Sequence, residues 1–119
     1  MPSDSDSAFE AFISQLRRDR DANSASPTDA ELAALHRLIQ IARRDTGQSR
    51  RVADFLLSWW NAVTCGKFDP TDLWAVDTEI AQDMLTVLEM IARVRQYPSA
   101  MGLGPQFREL VALWRPDLG

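Results

Sequence analysis

The stretch between Ser49 and Gly66 constrains the fold more than any other part of the sequence. Read as a helix, it puts Val52, Phe55, Leu56, Trp59 and Val63 on one stripe and Ala53, Leu57, Trp60 and Thr64 on a second beside it. Only Arg50, Asp54, Ser58 and Asn61 remain as a narrow polar strip. A helix apolar around so much of its circumference needs neighbours on most sides, so it belongs inside a bundle. Ser49 is then its expected N-cap and Gly66 its expected stop.

The rest of the chain supplies the neighbours. Phe9, Phe12, Ile13 and Leu16 recur at helical spacing and predict a first amphipathic helix over about 7–19, after a short polar start at 1–6. Residues 21–27, small and polar and ending in Pro27, read as a loop or linker. This divides the chain into 1–27, an acidic N-terminus with one helix and a linker, and 28–119, a bundle domain. An isolated helix of that length is marginal, so the first one orders by burying its phenylalanines on its own domain or on a partner.

Thr28 and Glu31 form a capping-box pattern that opens a second helix, with Leu32, Leu35, Leu38, Ile39 and Ala42 as its stripe and Gly47 as its expected exit. Asp69-Pro70 pairs an N-cap carboxylate with a proline that needs no amide partner, predicting a short turn over about 70–75. Were this turn continuous with the next stripe, Ile80, Met84, Val87, Leu88, Ile91 and Val94, Asp77 would be buried. A break before Asp77 avoids the cost of an unpaired buried charge and makes Asp77 the cap of a fourth main helix ending near Gln96. Residues 99–104 read as a loop, and Pro105 opens a last helix with Phe107, Leu110, Val111 and Trp114 inward. The predicted fold class is all-α, a compact single-domain bundle of five main helices plus a short helical turn, with the third and fourth main helices central.

Composition narrows function more than it identifies it. A chain of 119 residues with 45% hydrophobic content is long enough for one core, and its single cysteine allows neither an intrachain disulfide nor a multi-cysteine zinc site. The start of the sequence lacks the basic and apolar segments of a signal peptide and no apolar run reaches membrane-spanning length, so the expected location is cytoplasmic, without membrane contact. A net charge of −4 disfavours wholesale wrapping of nucleic acid, although it leaves room for a local basic patch. No cofactor or metal is expected. His36 has no second histidine or motif nucleophile to work with, and Cys65 sits at a helix C-terminus, where the dipole disfavours a thiolate.

Three features remain as candidate partner-binding sites. Six acids between Lys67 and Arg93, with no base among them, could face a basic partner through Asp72, Asp83 and Glu89; alternatively they stabilise helix starts and a solvated face. Arg43, Arg44, Arg50 and Arg51 bracket Gly47 and could grip phosphate or an acidic surface. The first pair suits a helix C-terminus, whereas the second pair sits at a helix start against the dipole. Trp59, Trp74 and Trp114 fit core stripes; Trp60 is the tryptophan placed to reach the surface and anchor a protein contact, although its stripe can also be covered.

The block from Arg51 to Ala62, RVADFLLSWWNA, continued by Phe68-Asp69-Pro70-Thr71-Asp72-Leu73-Trp74 and by Ile91-Ala92-Arg93 with Tyr97-Pro98, resembles a family of small uncharacterised proteobacterial proteins often encoded on plasmids and integrative conjugative elements. The resemblance covers about residues 48–118. It implies an accessory role in a mobile element and brings no catalytic residue with it. The expected function is a non-enzymatic protein-interaction module, an accessory or inhibitory protein of a mobile element, whose partner is an unidentified protein and whose oligomeric state is open. The alternative is a weak nucleic-acid or phosphate binder that uses the arginines.

Overall fold

The computed structural model describes residues 4–22 and 26–118. The polar start at 1–6 and the linker at 21–27 therefore lie partly outside the described residues. Six helices follow one another: α1 (Asp4–Ala22), α2 (Asp29–Ala42), α3 (Gly47–Trp60), α4 (Ala62–Cys65), α5 (Thr78–Val94) and α6 (Gly104–Trp114). Three 3-10 turns, Pro70–Trp74, Pro98–Met101 and Pro116–Leu118, each begin at a proline. Among the described residues there is no strand, as the all-α expectation required. None of their helices is long and apolar enough to cross a membrane.

Local signals fix several boundaries. Thr28 caps α2 with a complete capping box, Thr28 Oγ1 accepting the Glu31 amide at 3.1 Å while Glu31 Oε1 accepts the Thr28 amide at 2.8 Å. Asp69 caps the 3-10 turn at Pro70 with the Thr71 amide at 2.9 Å from its carboxylate. The break before α5 is present, yet Asp77 makes no side-chain cap bond; its amide donates to Gln48 Oε1 at 2.7 Å and its carboxylate accepts from Gln48 Nε2 at 3.4 Å.

Other boundaries differ from expectation. Gly47 is not the exit of α2 but the first residue of α3, because Thr46 rather than Ser49 caps that helix. Thr46 Oγ1 accepts the Ser49 amide at 3.0 Å, and the two hydroxyls bond each other at 2.7 Å with Ser49 buried. The long helix expected to run to Gly66 stops at Trp60. Asn61 turns to extended backbone (φ −160°) and its side chain accepts the Thr64 amide at 3.2 Å, which starts the separate α4.

The core joins Leu35, Leu38 and Ile39 of α2, Val52, Leu56 and Leu57 of α3, Met84, Val87 and Met90 of α5, and Phe107 and Leu110 of α6. The largest packing interfaces set α2 between α5 and α3, and α3 between α2 and α6. The central pair is thus α2 with α3, rather than α3 with the helix that follows Asp77. α1 stands apart: Phe9, Phe12 and Leu16 are exposed, and none of the side chains described over residues 7–18 joins the core cluster. Its 19 residues span about 29 Å at 1.5 Å per residue. The molecule measures 58 Å along its long axis against 30 and 27 Å across, an excess of about one such helix. α1 extends from the bundle as an arm.

Candidate functional site

The charged candidates are largely engaged within the fold. Asp72 is buried against Arg51, the ion pair that ties the 3-10 turn at Pro70 to α3. Asp83 receives both Nε and Nη2 of Arg37 at 2.9 Å, bridging α5 to α2 and raising the Arg37 pKa further above its ordinary value. Asp69 is held below the usual carboxylate range by the Thr71 amide and hydroxyl. Glu89 alone of the three acidic candidates is exposed and forms no ion pair among the described residues. Arg43 reaches Glu109 of α6 at 3.0 Å on the surface, whereas Arg44 and Arg50 are exposed and make no ion pair among the described residues. The four arginines therefore split into two that bind the fold together and two that face outward. Among the described residues no three His, Cys, Asp or Glu side chains gather as a metal site would need.

The polar strip of α3 turns partly inward. Asp54 does not meet solvent; it is buried with Arg115, whose Nη2 lies 2.7 Å from Asp54 Oδ1. The same guanidinium donates to the Cys65 carbonyl through Nη2 at 3.0 Å and Nε at 3.3 Å, satisfying the end of α4, and to the Trp114 carbonyl through Nη1 at 3.0 Å. Ser58, one turn along, donates to the Asp54 carbonyl at 2.8 Å and accepts the Phe68 amide at 3.2 Å. The strip is a seam against which the C-terminal residues and the 66–69 segment close.

A second internal ion pair joins α2 to α5. Arg93 Nη1 donates to Glu31 Oε2 at 2.6 Å, and Nη2 donates to Glu31 Oε1. These bonds outweigh the effect of burial and bring the Glu31 carboxyl down from 4.5 to about 2. The same Arg93 reaches the Ser26 carbonyl at 3.4 Å, holding the chain just before α2 beside the last turn of α5.

The open surface lies at the far end of α3. Trp59 and Trp60 both pack on Phe107 of α6, Trp59 edge-on with ring centroids 5.7 Å apart and Trp60 stacked at 5.6 Å. The Trp59 indole donates to the Gln96 carbonyl at 3.0 Å and so fixes the turn after α5 against α3. Because Asn61 breaks the helix, α4 leaves the phase of α3: Cys65 turns inward, while Val63, expected on the inner stripe, is 95% exposed. Tyr97 is also exposed. Trp59, Trp60, Val63 and Tyr97 line a groove of about 520 Å³. A smaller depression of about 300 Å³ adjoins it through Trp59 and Tyr97 and is walled by Ile91, Arg95 and Gln96. Arg95 is the one charged residue lining either, and it is the one non-glycine among the described residues in the left-handed region (φ 59°). No acid lines either depression.

Trp60 is therefore half-buried at this surface, its stripe partly covered by Phe107. Trp74, expected in the core, is instead 84% exposed on the 3-10 turn. Val63, Tyr97 and Arg95 were not legible as site residues. The signal that could have revealed them is Asn61, a good cap residue in the middle of an apolar run, which marks where the helix stops and its apolar continuation comes out.

Nothing among the curated proteins or the solved structures matches the chain. One family model does, over residues 32–115, from the second turn of α2 to the arginine that closes the seam on Asp54, leaving α1 outside the match. The match covers most of the chain, which therefore belongs to DUF7673, a family of unknown function.

Proposed function

We propose that the chain is a non-enzymatic protein-interaction module that docks through the aromatic groove at the α3–α4 junction, acting in the bacterial cytoplasm as an accessory or inhibitory protein of a mobile genetic element. The observation that carries the docking reading is Val63, an aliphatic side chain 95% exposed at the lip of a groove walled by Trp59, Trp60 and Tyr97. Half-buried tryptophans held against Phe107, with an exposed tyrosine and an arginine at the edge, are the side chain types that dominate binding energy at protein interfaces. The mobile-element role rests on the resemblance of residues 48–118 alone. A photo-reactive amino acid at position 63 tests the docking reading: cross-links to protein are expected there and not from position 79, where Glu79 is exposed on α5. Equal labelling at both positions would remove the support.

A second reading, phosphate or nucleic-acid binding, draws on Arg44 and Arg50, which are exposed and without ion pairs among the described residues. It predicts salt-dependent retention on DNA that falls when both become alanine. Substituting Arg43 or Arg51 would confuse the result, since both hold the fold together through Glu109 and Asp72.

A further inference from the structure

The molecule carries two unpartnered apolar surfaces of complementary character. One is the arm: Phe9, Phe12 and Leu16 are all exposed and, spaced three and four residues apart, share one face of α1. The other is the groove of Trp59, Trp60, Val63 and Tyr97 with Arg95 at its edge. The first seven residues of α1 include Asp4, Asp6 and Glu10 and no base, whereas the groove is walled by one cation and no acid. The sequence of the arm's leading half is thus apolar and acidic, and the groove is apolar and basic.

We infer that α1 from one molecule docks in the aromatic groove of a second copy, its face of Phe9, Phe12 and Leu16 against Trp59, Trp60 and Val63, with Glu10 of its acidic leading half facing Arg95. This rests on the docking reading above and names its partner. The posture of the arm favours exchange between copies. Phe9, Phe12 and Leu16 all stay exposed, so the apolar face of α1 is open to a second copy. Reciprocal exchange of one element between two copies closes on itself as a two-fold dimer and needs no surface beyond the two described. The conformation of Arg95 agrees with a use for its side chain. A glycine would end α5 in the left-handed region with less strain, yet an arginine stands there.

Sedimentation equilibrium of the full chain across a concentration series tests the inference. A reversible dimer is expected for the wild type. Val63→Asp, at a position too exposed to disturb the fold, and Phe9→Ala with Phe12→Ala should each raise the dissociation constant by at least about tenfold. Glu10→Arg and Arg95→Glu should each weaken the dimer, and together restore it. Circular dichroism confirms that each variant is folded. A wild type that stays monomeric at every concentration overturns the exchange; cross-linking from position 63 to another protein would then leave the docking reading standing, and its absence would remove both. A dimer lost in the phenylalanine variant but indifferent to Val63→Asp would mean that arms pair with each other, which also overturns the inference. So would a monomer whose α1 amides are strongly protected from hydrogen exchange, since the arm would then be docked on its own bundle.

Discussion

The two sides of α3 teach opposite lessons about polarity. Its polar strip turns inward at Asp54 and in part at Ser58, while Arg50 and Asn61 stay exposed; its aromatic end, with Trp59, Trp60 and the Val63 that follows, stands open. Hydrophobicity alone predicts the reverse. The polar side closes because Arg115 supplies a fitted counter-charge and its guanidinium makes three further bonds, to the Cys65 and Trp114 carbonyls; among the described residues no buried side-chain nitrogen or oxygen is left unbonded. The apolar side opens because Asn61 ends the helix, and the chain that continues it turns Val63 away from the core. Burial at this helix follows the availability of partners rather than the polarity of the residue.

Breaking the seam gives the sharpest test of that contrast. Arg115→Ala, or Asp54→Ala, leaves the other charge buried and should destabilise by about 3–5 kcal/mol in urea unfolding. Replacing the two together by leucine and methionine should recover most of the loss, because the cost lies in the orphaned charge. Val63→Asp, on the open side, should change stability by no more than about 0.5 kcal/mol. Comparable losses on both sides would show that the open end is not open.

Glu31 and Arg93 ask whether closure by charge recurs elsewhere in this fold. The folded-state pKa of Glu31 is depressed, so its contribution is present above about pH 4.5 and is lost as pH falls toward about 2. The stabilisation at neutral pH is on the order of 2–3 kcal/mol. Glu31→Gln should flatten the fall in thermal stability across that window, and a variant whose acid profile is unchanged would place the effect on other carboxylates.

Arg95→Gly sharpens the comparison from the open side. Relief of the left-handed backbone should raise stability by about 1 kcal/mol while weakening any association through the groove. A gain in stability with association intact would assign Arg95 no part in docking. The smallest effect is expected at Asp77. Its carboxylate meets Gln48 at 3.4 Å on the surface rather than capping α5, so Asp77→Ala should cost under about 1 kcal/mol.

What the sequence made legible was local. Thr28 with Glu31 and Asp69 with Pro70 announce helix starts within four residues, and the apolar spacings of α2, α5 and α6 announce helices, because the partners in each signal lie within a turn of one another. The cap of α3 was ambiguous for a local reason too: Thr46 and Ser49 are both good caps, and in the structure they bond each other, one capping and the other buried. What was not legible depends on distant partners. Nothing near Asp54 in sequence points to Arg115, and Arg51 reads as a surface charge until Asp72 is folded against it. Trp74 looked like core because tryptophan usually is; on a 3-10 turn, the side chain after Leu73 points the other way. Of the candidate site residues, Trp60 lies at the groove, while Asp72, Asp83, Arg43 and Arg51 hold elements together.

The Asp54–Arg115 pair also has a consequence for how relatives can diverge. Losing either charge alone strands the other inside the protein, so a lineage that changes one position passes through a poorly folded intermediate unless the second change accompanies it. The two positions, one in the central helix and one just past α6, are bound to drift together. Across aligned relatives, position 115 should be basic where position 54 is acidic, and where one becomes apolar the other should have become apolar with it.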